Sequence, residues 1–212
     1  MGIIKWKGAP DCDYRGLRAQ QNPNAFEVFE RFFCEERFDH VIELGTSYGG
    51  FALFLHDQSL KHGFRFTTYD WSGFSGGSWN DRRDPLMAMF GGKPPFDFRD
   101  ANVLDPATQA EIIGLLGAGR CLLLCDAMKV EEFNALAPHL TPGSHIMAHD
   151  YAPTLEHFER ITRAPREGEP WGAWGWCEIT DADVHGTLGA GVVTKSPWYD
   201  EFLDVVWLSC QR

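Results

Sequence analysis

Residues 40–55 read HVIELGTSYGGFALFL, and this stretch decides the fold. It begins with a short apolar run, His40–Leu44, that carries an acid, Glu43, near its end. Gly45, Gly49 and Gly50 then interrupt the run, and apolar residues resume at helical spacing. The pattern predicts a strand, a glycine turn and a helix over Gly50–His62. A βα unit that handles a nucleotide begins in this order. A dinucleotide site asks for G-x-G-x-x-G, whose middle glycine lets the backbone approach a pyrophosphate. Here that position is Ser47, and the spacing G-x-x-x-G-G suits a ligand without phosphates lying flat across the turn.

The same alternation runs outward in both directions. Upstream, Asn22-Pro23 reads as an N-cap with proline at the first helical position. The helix it opens carries Phe26, Phe29 and Phe33 on one face, either to cover the sheet or to meet a second copy of the chain. Downstream, strands are expected at 64–70, 96–100, 120–126 and 145–150, and helices at 105–116, 130–139 and 152–163. The tail holds β-like runs at GWCEIT, GAGVVTK and FLDVVWL, with little helical pattern between the last two. Strands alternating with helices imply an α/β, Rossmann-like parallel sheet with helices on both faces. The final strands, lacking a helix between them, should form an antiparallel edge hairpin. Residues 1–212 read as a single domain, with 1–38 as an N-terminal helical cover and the Gly/Ser/Pro-rich 71–95 as a lid loop.

Composition restricts the partners. A formal net charge of -11 disfavours nucleic acid and anionic membrane surfaces. No apolar run approaches a membrane span, and the first residues lack a secretory apolar core. The six cysteines form no CxxC pair and point to a cytoplasmic protein, with Cys121 and Cys125 reading as buried small apolar residues. Cys121 and Cys125 share one strand face. His139, His145 and His149 straddle the turn at TPGS, which is a poor zinc pattern.

The expected strands end at or near Glu43, Asp70, Asp100, Asp126 and Asp150. Like charges gathered on one rim are costly without partners. Helix capping accounts for some of them, and a ligand for the rest. Glu43 suits a cationic ligand, and Asp70 is placed to accept both hydroxyls of a ribose. Asp100-Ala101-Asn102 sits where an adenine amino group is read. The ligand these describe is S-adenosylmethionine, with Thr46, Ser47, Trp71 and Asp126 completing the cofactor-binding set beside Gly45 and Gly49.

E-x-G-x-x-x-G-G, then Asp70, then Asp100-Ala101-Asn102 resembles the class I S-adenosylmethionine-dependent methyltransferases. The resemblance implies a sheet of seven strands with one antiparallel edge strand. A narrower similarity, carried by Gly16, Gln21 and Pro23 ahead of the glycine turn, is to the cephalosporin hydroxylase family, a branch that includes sugar O-methyltransferases. Asp126 and Asp150, from neighbouring strands, supply oxygen ligands for a divalent cation such as Mg²⁺. His149, the third candidate ligand, is more at home with Mn²⁺, Fe²⁺ or Zn²⁺. The spacing Asp126-x-x-Lys129 resembles the metal-dependent catechol-type O-methyltransferases. That resemblance implies that Lys129 is the general base, its pKa lowered toward neutrality by burial and a nearby cation. The chain departs from both groups: the cephalosporin hydroxylase branch commonly has His at the position of Lys129 and an acid at that of His149. The catechol type typically has Asp-Asn where this chain has His149-Asp150. The expected activity is O-methylation of a small hydroxylated molecule. The alternatives are a metal-dependent oxidation or a non-catalytic S-adenosylmethionine-binding module. Trp171, Trp174 and Trp176, with Phe74 and Trp79 of the lid, are candidate apolar walls.

Overall fold

A computed structural model describes residues 12–72, 78–163 and 177–212; at 78–83 and 160–163 it describes the backbone alone. A small antiparallel hairpin, β1 (Asp13–Tyr14) and β2 (Leu17–Arg18), precedes helix α1 (Ala25–Glu35). The main sheet is built from β3 (His40–Leu44), β4 (Arg65–Asp70), β5 (Asp97–Asp100), β6 (Cys121–Cys125), β7 (His145–Ala148), β8 (Thr194–Lys195) and β9 (Leu208–Gln211). Its order is β5-β4-β3-β6-β7-β9-β8. The first five of these pair in parallel, and β9 runs antiparallel between β7 and β8. The seven-stranded, mostly parallel sheet with its antiparallel edge hairpin is the architecture expected.

Residue alternation along the strands separates two cores. Val41, Leu122, Leu124, Met147 and Trp207 face one side with α1, α2 (Gly50–His62) and Phe202. Ile42, Leu44, Cys121, Leu123, Cys125 and Ile146 face the other with α4 (Pro106–Leu116) and α5 (Lys129–Leu136). The helices therefore lie on both faces, because the central strands β3, β6 and β7 are buried on both. Cys121 and Cys125 share a face, as their spacing requires. The α1 phenylalanines cover the sheet: Phe29 and Phe32 are fully buried, and their rings meet Phe202 edge-on at 4.8 and 5.3 Å.

Several local readings are corrected. Helix α1 starts two residues later than Asn22-Pro23 implied, with Asn24 as its N-cap. Asn22 instead folds a turn, its Oδ1 accepting the Asn24 amide at 3.0 Å. Much of the 71–95 loop is a helix, α3 (Ser78–Met89), with Pro85 inside it. The Gly/Ser run hid this helix, which is held by Leu86, a buried residue lying against Gly49. The 1–38 cover contains the β1–β2 hairpin as well as a helix. In the tail, only Leu208 of FLDVVWL lies in a strand, as the first residue of β9. The run's first residues end a short helix over Tyr199–Leu203, and its valines form a turn in which Val206 adopts φ 63°. The β-branched run favours a strand locally, but burial of Phe202 against α1 wins. GWCEIT contributes only an isolated bridge between Ile179 and Tyr151 among its described residues.

No helix among the described residues is long and apolar enough to cross a membrane.

Candidate functional site

The strand order reverses between β3 and β6, and α/β sheets open their ligand crevice at such a point. Register places the candidate residues there. Leu44 pairs with Cys125, so Gly45 stands beside Asp126. Cys125 pairs with Ala148, so Asp126 stands beside His149. Asp70 pairs directly with Asp100.

The glycine turn is packed tightly. Gly45 has φ 109°, and a Cβ there would come within 2.7 Å of the Asp126 backbone. Only glycine allows the two loops of the crevice to approach this closely. A Cβ on Gly50 would meet the Leu17 and Arg18 carbonyls at 2.5 Å, so the segment after β1 rests on the start of α2. Ser47 has φ 47°, and its Oγ donates to Gln20 Oε1 at 2.5 Å.

Among the described residues, the carboxylates on this half of the rim accept backbone amides and a hydroxyl. Asp70 accepts the Ser47 amide on Oδ2 and the Trp71 amide on Oδ1, each at 2.7 Å. Asp100 Oδ1 accepts the Ser72 amide at 2.9 Å. Glu43 lies under the turn, buried, and accepts the Thr68 hydroxyl at 2.6 Å; Thr68 also meets Thr46 Oγ1 at 2.6 Å. Burial, with Asp126 and Asp70 nearby, pushes the Glu43 carboxyl well above its ordinary range despite the Thr68 bond. Trp71 is partly exposed at the rim and Ala101 is half-buried.

The other half gathers charges. One ligand atom each from Asp126, His149 and Asp150 lies within 4.8 Å of the others. Lys129 Nζ sits among carboxylates, 3.3 Å from Asp126 Oδ1, 3.0 Å from Asp150 Oδ2 and 2.8 Å from Glu178 Oε2. His149 Nδ1 is 3.0 Å from Asp126 Oδ1, and its ring stacks on Trp207 at 4.7 Å. Asp150 holds φ 57°, a left-handed conformation seldom adopted without a surrounding structure that enforces it.

The expected direction for Lys129 is reversed. Burial opposes its charge, but Asp150, Asp126 and Glu178 outweigh burial and hold the ammonium well above its ordinary value. For His149 burial again lowers the pKa, and Asp126 and Asp150 turn the balance upward.

Three residues at the site were not anticipated as parts of it. Gln21 was noted only as part of a motif, whereas its amide contacts Asp126 and Trp207. Glu178 follows Cys177 in a run read as a strand. Trp207 was read as one residue of a strand face. Trp171, Trp174, Trp176, Phe74 and the Trp79 side chain lie outside the described residues.

No family model matches the chain, and no curated protein matches it. Among solved structures, one described as "cmcI-N160 SAH" aligns with the whole chain and 87% of its own length, at 14% identity and a TM-score of 0.53. The chain shares the Rossmann-like α/β fold of that structure. A structure described as "cmcI-D160 Mg-SAM" aligns over 72% of the chain and 61% of its own, at 16% identity and a TM-score of 0.47. The SAH-bound methyltransferase PaMTH1 of Podospora anserina aligns over 89% and 76%, at 11% identity and a TM-score of 0.48.

Proposed function

We propose that the chain is an S-adenosylmethionine-dependent O-methyltransferase acting on a small hydroxylated molecule, with a divalent cation at Asp126, Asp150 and His149. The observation that carries this reading is the crevice at the strand-order switch. There Gly45 lies against Asp126, with Asp70 and Asp100 paired on one side and the Lys129 cluster on the other. In this reading Gly45, Thr46, Ser47 and Gly49 line the donor's methionine end, with Glu43 and Asp126 beside it. Asp70 stands beside the ribose, and Asp100, Ala101 and Trp71 hold the adenine.

The donor set fits a hard cation: two carboxylate oxygens from adjacent strands converge on a place that already attracts an ammonium. When bound, the donor supplies a methyl group on a sulfonium, and the cation lowers the pKa of the acceptor hydroxyl. Lys129, now held protonated by Asp150, Asp126 and Glu178, would accept the hydroxyl proton only after releasing its own to solvent, with a cation neutralising Asp126 and Asp150. Asp126 and Asp150 orient the acceptor, and the crevice walls hold it in line with the methyl group. Positioning of this kind supplies most of what a methyl transfer needs.

Calorimetric titration with S-adenosylmethionine, with and without Mg²⁺ and against NAD, tests the proposal. The expected result is binding of the sulfonium ligand and none of NAD, with affinity or heat altered by Mg²⁺. Absence of S-adenosylmethionine binding under both conditions overturns it.

A further inference from the structure

Gln21 is 1% exposed and lies between β2 and α1. Its Oε1 accepts the Trp207 indole N–H at 3.0 Å, across a separation of 186 residues. An indole nitrogen can only donate, so this contact settles which end of the amide is which. Gln21 Nε2 therefore faces Asp126 Oδ2, to which it donates at 3.2 Å. The circuit closes through His149, which meets Asp126 Oδ1 at 3.0 Å and stacks on Trp207 at 4.7 Å with 27° between the rings. Both oxygens of Asp126 are thus directed: Oδ2 by Gln21, Oδ1 toward His149 and Lys129.

The backbone around Gln21 is itself fixed to the glycine turn. Gln20, at φ 46°, accepts the Ser47 hydroxyl, and the Leu17 and Arg18 carbonyls lie over Gly50. On the far side, Val206 at φ 63° sets the direction of Trp207, and its carbonyl accepts the Tyr151 amide at 2.9 Å. Two left-handed, non-glycine residues thus flank the contact that joins the N-terminal segment to the last turn. Backbone of this kind persists only where its surroundings enforce it.

We propose that Gln21 is a positioning residue: it couples the N-terminal segment to Asp126 and Trp207, so that the cation-facing half of the site is assembled only when that segment is docked. The coupling stands on contacts within the chain, while its consequence for ligand binding rests on the methyltransferase reading. Gln21 acts through Asp126 and touches no reacting atom.

A double-mutant cycle tests it by exchanging donor and acceptor. Gln21→Glu sets a carboxylate oxygen against Asp126, and Asp126→Asn sets an amide against an amide. In the combined variant Gln21→Glu/Asp126→Asn, the asparagine amide donates to the glutamate, which still accepts the Trp207 indole. Each single change should lower Tm by about 4–8 °C, and the pair should recover most of the Gln21→Glu loss. The Trp207 indole signal, assigned by its disappearance in Trp207→Phe, should keep its position in the combined variant and shift in the folded, near-isosteric Gln21→Met. Mn²⁺ should bind Gln21→Met about tenfold or more weakly than the unaltered chain, as when groups that orient metal ligands are removed. Additive Tm losses together with an unmoved indole signal overturn the proposal. So does Mn²⁺ affinity in Gln21→Met equal to that of a chain that binds Mn²⁺. If the unaltered chain binds neither Mn²⁺ nor S-adenosylmethionine yet the cycle shows coupling, the proposed function falls and the positioning role stands.

Discussion

His145 opens β7 and His149 follows its end, so one strand carries a buried histidine at each rim of the sheet, in opposite surroundings. His145 is packed between the Phe32 and Phe38 rings, 5.3 and 5.6 Å away. Burial lowers its pKa to about 4, with Glu36 opposing and Arg120 assisting. His40, at the same amino rim on β3, is also lowered to about 4 by burial, with Arg65 and Arg99 assisting and Asp97 opposing. His149, at the carboxyl rim, faces Asp126 and Asp150, which raise it against burial. Burial and a nearby carboxylate are common to all three histidines; only at His149 do two carboxylates turn the balance. At the amino rim charges of both signs act on the histidines and burial prevails, whereas at the carboxyl rim Asp126 and Asp150 outweigh burial in a small volume shared with Lys129. Such concentration is costly for stability alone and is the physical ground for placing the proposed chemistry at this rim.

The comparison is broken most severely by removing the central cation. Lys129→Met leaves Asp126, Asp150 and Glu178 facing one another without the ammonium that now lies within 3.3 Å of each. An uncompensated buried charge typically costs about 3–5 kcal/mol, and a loss of that order is expected in denaturant unfolding without divalent cations. Added Mn²⁺ should recover part of it. A loss below about 1 kcal/mol would mean that solvent already screens these carboxylates, and the contrast between the rims would disappear.

Acid sharpens the comparison from the other side. His40 and His145 have folded pKa values of about 4 against an ordinary 6.5. Their contribution is intact above pH 6.5 and is lost as the pH falls toward 4, because only the unfolded chain takes up those protons. At pH 5 each histidine should cost about 2 kcal/mol relative to pH 7. His145→Phe should therefore flatten the pH dependence of unfolding between pH 6.5 and 5. An unchanged slope would show that His145 is protonated without penalty.

The parts of this arrangement that could be read in advance are those with local causes. The bounds of β3, α2 and α4 coincide with the expectation, since glycines delimit one helix and Asp105-Pro106 opens the other. The convergence of Asp126, His149 and Asp150 also followed, because adjacent parallel strands bring their ends together. What escaped depends on distant partners. The state of Lys129 turns on Glu178, 49 residues away, as well as on Asp126 and Asp150. The final strand was displaced because nothing local says that Val206 turns left-handed. The directing role of Gln21 appears only when Trp207 is placed beside it.

The smallest effect on stability, and the most pointed on function, belongs to the Asp70 half of the carboxyl rim. Asp70 accepts two backbone amides, one on each oxygen. Asn offers a single acceptor oxygen, so Asp70→Asn must turn its amide toward either the Ser47 or the Trp71 N–H and forfeit one bond. The group is partly open to solvent, which lets water replace what is lost, so unfolding should change by about 1 kcal/mol. Ser47 is the more sensitive side, since its left-handed backbone is held by that bond. Binding of S-adenosylmethionine should fall far more, by about tenfold or greater, if a charged carboxylate here also accepts the ribose hydroxyls. Equal small losses in stability and affinity would assign Asp70 to the turn alone, whereas a large loss confined to affinity would assign it to the ligand as well.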